Sequence, residues 1–236
     1  MERIDKIISS ELNITRSEAK SLIKKGAVVK NGAAVRSADE KALPGEDIIT
    51  VGGRELSYNE FVYIMMNKPK GVISSTDGRK TNEKTVVDIL PDNMKRRGLF
   101  PAGRLDKNTT GFVLITNDGA FAHNILSPKK QIQKEYIAVL DKPFDENVIM
   151  QFEKGVKIGD EICLPASLSA VDSSFTVARV ILKEGKYHQI KRMFAVFGIK
   201  VIELKRVSMG ALMLDENLDG GECRFLTAEE VKKIIE

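Results

Sequence analysis

The chain has 236 residues, 42% hydrophobic and 30% charged, enough for an ordered core in one large domain or a small domain ahead of a medium one. Its 37 basic and 33 acidic residues leave a net charge of only +4, which permits nucleic-acid binding without requiring it, so the placement of charge decides. Two cysteines (Cys163, Cys223) and two histidines (His123, His188) at no metal-ligand spacing argue against a metal site, and no apolar run reaches the length of a membrane span.

Lone cysteines, and a start (Met1-Glu2-Arg3-Ile4-Asp5) without a leader-type apolar run, make the reducing cytoplasm the expected location. Ile4, Ile7, Ile8 and Leu12 recur at helical spacing. Thr15-Arg16-Ser17-Glu18 has the form of a capping box opening a second helix, with Ala19, Leu22 and Ile23 on its apolar side and Gly26 as its stop. Val28-Val29-Lys30 and Ala33-Ala34-Val35 flank Asn31-Gly32, a strong hairpin signal. Leu43 to Asp47 reads as a turn, and Ile48 to Val51 as a returning strand.

Within this region Arg16, Lys20 and Lys24 are spaced by four and share one helix face. From Asn13 to Ala38 six bases, Lys25 among them, face one acid, Glu18, whereas the ten bases and ten acids of residues 1–60 cancel. A solvated face is the plain alternative for such a stripe. Two short helices, a glycine and a strand turning at Asn-Gly resemble the S4 RNA-binding module, which implies structured RNA as a partner and leaves the reaction open. The expected domains are 1–53 for this module, 54–60 for a linker, and 61–236 for a second domain.

In that second part, strand-like and helix-like segments alternate with hairpin signals, which predicts an α+β fold on a mixed, largely antiparallel sheet. Phe61 to Met66 is an apolar strand running into Asn67-Lys68-Pro69-Lys70-Gly71. The polar stretch from Ser74 to Thr85 carries Arg79, Lys80 and Lys84 and reads as a mobile loop able to meet phosphates. Gly103-Arg104-Leu105-Asp106 precedes another apolar strand, Phe112 to Ile115, which is expected to turn at Asn117-Asp118-Gly119. By pattern alone Asp106 is a turn residue satisfying backbone N–H groups, and Asp118 is hairpin chemistry.

Gly103-Arg104-Leu105-Asp106 with Thr109-Thr110-Gly111 and Thr116-Asn117-Asp118-Gly119 closely resembles the signature of the pseudouridine synthase family typified by ribosomal small subunit pseudouridine synthase A. Lys134-Glu135-Tyr136 opens a strand where the family carries its active-site tyrosine, and residues 184–194, from Glu184 to Phe194, match its third motif nearly residue for residue. Leu204-Lys205-Arg206 follows in a later strand. Departures are small: Phe112 stands where Leu is usual, and Lys191 where the wider superfamily often has Arg.

The resemblance implies an enzyme that isomerises a uridine of small-subunit rRNA, uridine 516 of the 16S molecule. It implies Asp106 as nucleophile, Tyr136 as the stacking and proton-relay residue, and Lys191 as the cation that keeps Asp106 ionised. Arg104, Arg192 and Leu204 would contact substrate, His188 would serve a structural or substrate-contacting role, and Arg16, Lys20, Lys24 and Lys25 would bind RNA. No cofactor and no metal are implied, and a monomer is expected. Ile190, Met193, Phe194 and Phe197 form the buried face of the third-motif helix. A related enzyme of large-subunit rRNA and a non-catalytic S4-type RNA-binding protein are the alternatives; a paired-carboxylate hydrolase lacks a motif for its second carboxylate.

Overall fold

A computed structural model describes every residue except Pro44, Ser57, Arg79, Lys80 and Thr81. The chain forms two compact units: Met1–Val62 with Leu90–Phe100, and Tyr63–Ile89 with Pro101–Glu236.

The first unit opens with helix α1 (Ile4–Glu11), whose Ile4, Ile7 and Ile8 are fully buried. Leu12 falls at its C-cap and is exposed. Helix α2 (Arg16–Lys24) starts on the complete capping box: Glu18 N–H donates to Thr15 Oγ1, and Thr15 N–H donates to Glu18 Oε2. Ala19 and Ile23 pack with the α1 isoleucines, Val28, Val35, Ala42 and Ile49 into one core. Strands β1 (Val28–Lys30) and β2 (Ala33–Ala34) pair across Asn31 and Gly32, whose φ values of 50° and 83° are those of a tight hairpin turn. Strand β3 (Ile49–Val51) pairs with β1 and with β4 (Arg54–Leu56).

Two sequence expectations change here. Gly52 and Gly53 both take positive φ and close a hairpin, so Arg54–Leu56, read as linker, is a strand of the first sheet. Residues 90–100, read as part of the second domain, cluster with the first unit, where Arg96 Nε lies 3.0 Å from the buried Glu11 carboxylate and Arg97 donates to Ser9 Oγ. Burial pushes the Glu11 carboxyl up, and Arg96 opposes that shift. Of the turn at Leu43 to Asp47 and the stretch read as linker, Pro44 and Ser57 lie outside the described residues; so do Arg79 and Lys80 of the basic loop.

The second unit is built on a nine-stranded sheet. Its main strands are β5 (Tyr63–Lys68), β6 (Thr110–Thr116), β7 (Lys134–Leu140), β8 (Ser167–Ala170), β9 (Val177–Leu182), β10 (Val201–Met209) and β11 (Cys223–Phe225). They lie in the order β8-β9-β7-β10-β6-β5-β11, all antiparallel except β10 against β6. The α+β expectation of a mixed, largely antiparallel sheet is met.

The parallel junction is short, Thr110 and Gly111 against Lys205 and Arg206. A Cβ on Gly111 (φ +98°) would sit 2.1 Å from the Arg206 carbonyl oxygen, so only glycine allows this approach. It sets the loop ahead of β6 beside Leu204 on β10.

Helix α3 (Gly119–Leu126) overturns the hairpin expected at Asn117-Asp118-Gly119. Asp118 is its N-cap, accepting from Phe121 N–H and from the Tyr63 hydroxyl at 2.6 Å. Helix α4 (Glu146–Lys154) and helix α5 (Gln189–Val196) meet through Phe152 and Phe194, ring centroids 4.9 Å apart. Ile190, Met193 and Phe194 are buried as the helical spacing predicts, while Phe197 caps the end half-buried.

Candidate active site

Asp106 lies in the loop entering β6, its side chain 28% exposed. The loop is held from inside by one segment. The Lys68 ammonium, at the end of β5 and with no solvent exposure, donates to the carbonyls of Pro69 (3.1 Å), Lys107 (3.1 Å) and Thr109 (2.9 Å). Gly71 N–H donates to Lys107 O at 2.9 Å, and Ser74 Oγ exchanges hydrogen bonds with Leu105 N–H and O at 3.1 Å each. Asp106 O closes the turn by accepting from Thr109 N–H. The carboxylate therefore projects from a fixed backbone.

Burial pushes the Lys68 ammonium down to about 8, and the Asp106 carboxylate pulls the other way. Lys68, Gly71 and Ser74 were not singled out by sequence reasoning. The available signal was a lysine closing an apolar strand, where a cation demands acceptors.

Asp106 faces two side chains at the start of α5. Lys191 Nζ lies 3.9 Å from Oδ2, and His188 Nε2 lies 3.5 Å from Oδ1. His188 takes a left-handed conformation (φ 50°) and gives no side-chain cap to α5. Its ring stacks on Tyr187, centroids 3.9 Å apart and 16° from parallel. The turn before α5 is tied by Gln189, which is buried, accepts from Lys186 N–H and donates to Glu184 Oε1.

A small open cleft of about 70 Å³ runs beside Asp106, lined among others by Arg104, Tyr136, His188 and Leu204. Tyr136 on β7 and Leu204 on β10 are each over 90% buried, on neighbouring strands, and supply an aromatic and an aliphatic wall. Arg104 is exposed and makes no hydrogen bond among the described residues. The structure thus gathers Asp106, Tyr136, Leu204 and Arg104 along the cleft, with Lys191 outside its lining but within 3.9 Å of Asp106. It leaves Arg192 out of the cleft lining: that side chain is exposed and donates to the Tyr187 carbonyl at 3.4 Å. A helix places neighbouring residues about 100° apart, so Lys191 and Arg192 cannot both face the aspartate.

Arg16, Lys20, Lys24 and Lys25 are all exposed on α2 and its C-cap, and none is ion-paired among the described residues. Among the described residues no group of His, Cys, Asp and Glu side chains could hold a metal ion. None of the described helices is long and apolar enough to cross a membrane.

An anionic carboxylate flanked by a cation, an aromatic wall and an apolar wall can attack a planar heterocyclic nucleotide or hold it for bond cleavage. Comparison with known proteins points the same way. The family model for RNA pseudouridylate synthases matches residues 62–196, and that for the S4 domain matches residues 2–48. An uncharacterized RNA pseudouridine synthase of Bacillus subtilis is 42% identical, over 99% of this chain and 98% of its own length. Ribosomal small subunit pseudouridine synthase A of Escherichia coli is 38% identical over 99% of this chain and all of its own. A crystal structure of a pseudouridylate synthase superposes with a TM-score of 0.68 at 36% identity, covering 99% of this chain and 100% of that one.

Proposed function

The chain belongs to the RNA pseudouridylate synthase family and carries an S4 domain, and from that premise we propose that it converts one uridine of small-subunit rRNA, uridine 516 of the 16S molecule, to pseudouridine. The observation that carries the reading is the convergence of Asp106, Tyr136 and Leu204 on a single cleft, with Lys191 on α5 3.9 Å from the Asp106 carboxylate.

The reaction breaks the N1–C1′ bond, turns the uracil and joins C5 to C1′; the C5 proton leaves and N1 gains one, so substrate and product are isomers. The target nucleotide swings out of its stack into the cleft, at a cost of a few kcal/mol, and exposed Arg104 holds its phosphate. Asp106 attacks as an anion with Lys191 at 3.9 Å: at C1′ it displaces uracil N1 and is itself expelled when C5 bonds to C1′, or at C6 it adds and is eliminated once C5 has taken C1′. The Tyr136 ring stacks on the uracil, its hydroxyl relays the C5 proton, and Leu204 packs the opposite wall. No metal and no cofactor takes part. The exposed cations of α2 grip rRNA phosphates, and the enzyme acts as a cytoplasmic monomer.

Purified protein incubated with rRNA from cells lacking the gene, followed by pseudouridine mapping, tests this. New pseudouridine at uridine 516 is expected. Modification confined to large-subunit rRNA would move the target, and none in either rRNA would overturn the reading.

A further inference from the structure

Tyr187 is 74% exposed, an unusual position for a tyrosine in a turn that is otherwise tied down. Its ring lies flat on that of His188, centroids 3.9 Å apart. The stack depends on the left-handed backbone at His188, a conformation that costs a non-glycine residue about 1–2 kcal/mol. Strain of this kind persists where surrounding structure enforces it, here through Gln189 bonded to Lys186 N–H and to Glu184. His188 in turn lines the cleft, 3.5 Å from Asp106. Tyr187 therefore presents an exposed ring stacked on a residue that lines the cleft, and the mechanism above does not use it.

We propose that the Tyr187–His188 pair is a stacking platform for the nucleobase next to the target uridine. The proposal rests on the rRNA synthase reading, since a nucleotide held at Asp106 brings its neighbour to this face. A flipped uridine leaves that neighbour without a stacking partner, and a rigid pair of aromatic rings replaces the lost contact for any base. The pair is an RNA-positioning element: it holds the strand beside the cleft and leaves bond making to Asp106.

The chain contains no tryptophan, so Tyr187→Trp places the only tryptophan, selectively excited, on the platform. Binding of an in vitro 16S rRNA fragment is measured by filter retention and by this fluorescence, alongside kcat and KM from tritium release. Tyr187→Ala is expected to raise both Kd and KM about 5- to 150-fold with kcat at saturation nearly unchanged. Tyr187→Phe should stay near wild type, and RNA should quench the Trp variant. Unchanged Kd in the Ala variant, or Trp emission indifferent to RNA, overturns the platform. So does a loss of kcat at constant Kd, which would place the ring on the reacting nucleotide. Wild type that binds the fragment but modifies no rRNA uridine would sink the synthase target while leaving the Kd comparison to decide the platform.

Discussion

Replacing Lys68 by methionine removes the ammonium shared by the Lys107 and Thr109 carbonyls of the Asp106 loop and the neighbouring Pro69 carbonyl. Hydrogen bonds to a charged donor contribute about 1.5–3 kcal/mol each. Against them stands the cost of burying the charge: the drop of its pKa from 10.5 to about 8 corresponds to about 3 kcal/mol. Three such bonds set against that cost leave a net loss of about 1–6 kcal/mol in the methionine variant. The pH dependence has a definite sign. A lysine whose pKa is lower folded than unfolded penalises the fold in full below pH 8, and the penalty lifts as pH rises from 8 to 10.5, where the unfolded chain binds the extra proton. From about pH 7.5 to 9.5 the wild type should gain about 2 kcal/mol relative to the variant. Urea unfolding of both proteins at the two pH values measures this. Displacing the Asp106 loop should also lower kcat by about 10²-fold. Equal stability at both pH values together with intact kcat would refute the idea that Lys68 holds the loop.

Lys191→Gln keeps a polar side chain and removes the charge 3.9 Å from Asp106; kcat in tritium release should fall by about 10²-fold or more with RNA Kd nearly unchanged. Replacing Arg16, Lys20 and Lys24 together by Ala should raise KM, spare kcat at saturating RNA, and flatten the log–log salt dependence of binding by roughly 0.7–0.9 per lost contact; superimposable salt plots in filter binding would show a merely solvated face. Exhaustive EDTA treatment should leave turnover intact, and activity lost on chelation and restored by zinc would contradict the mechanism.

Much of the fold was legible because its signals are local. The Thr15–Glu18 capping box and the Asn31-Gly32 turn need only neighbouring residues, and both form as written. Asn117-Asp118-Gly119 misled because the same residues that close a hairpin also start a helix: the apolar residues Ala122 and Ile125 pack inward and extend the chain as α3. Gly52-Gly53 misled in the opposite sense, reading as a joint and folding as a turn. At the site, Asp106, Tyr136, Lys191 and Leu204 could be named only through the resemblance, since nothing local distinguishes Asp106 from a turn aspartate. Lys68 stayed hidden because its meaning depends on carbonyls about forty positions away. The Tyr187–His188 stack stayed hidden because it depends on one left-handed residue.

The central claim, that Asp106 performs the bond-breaking step, is tested most directly by Asp106→Asn in a tritium-release assay on uridine-labelled rRNA. Asparagine keeps the shape of the side chain and removes its charge. The account predicts no release above background, with RNA affinity within about threefold of wild type because phosphate contacts elsewhere position the substrate. Substantial turnover by this variant would contradict it.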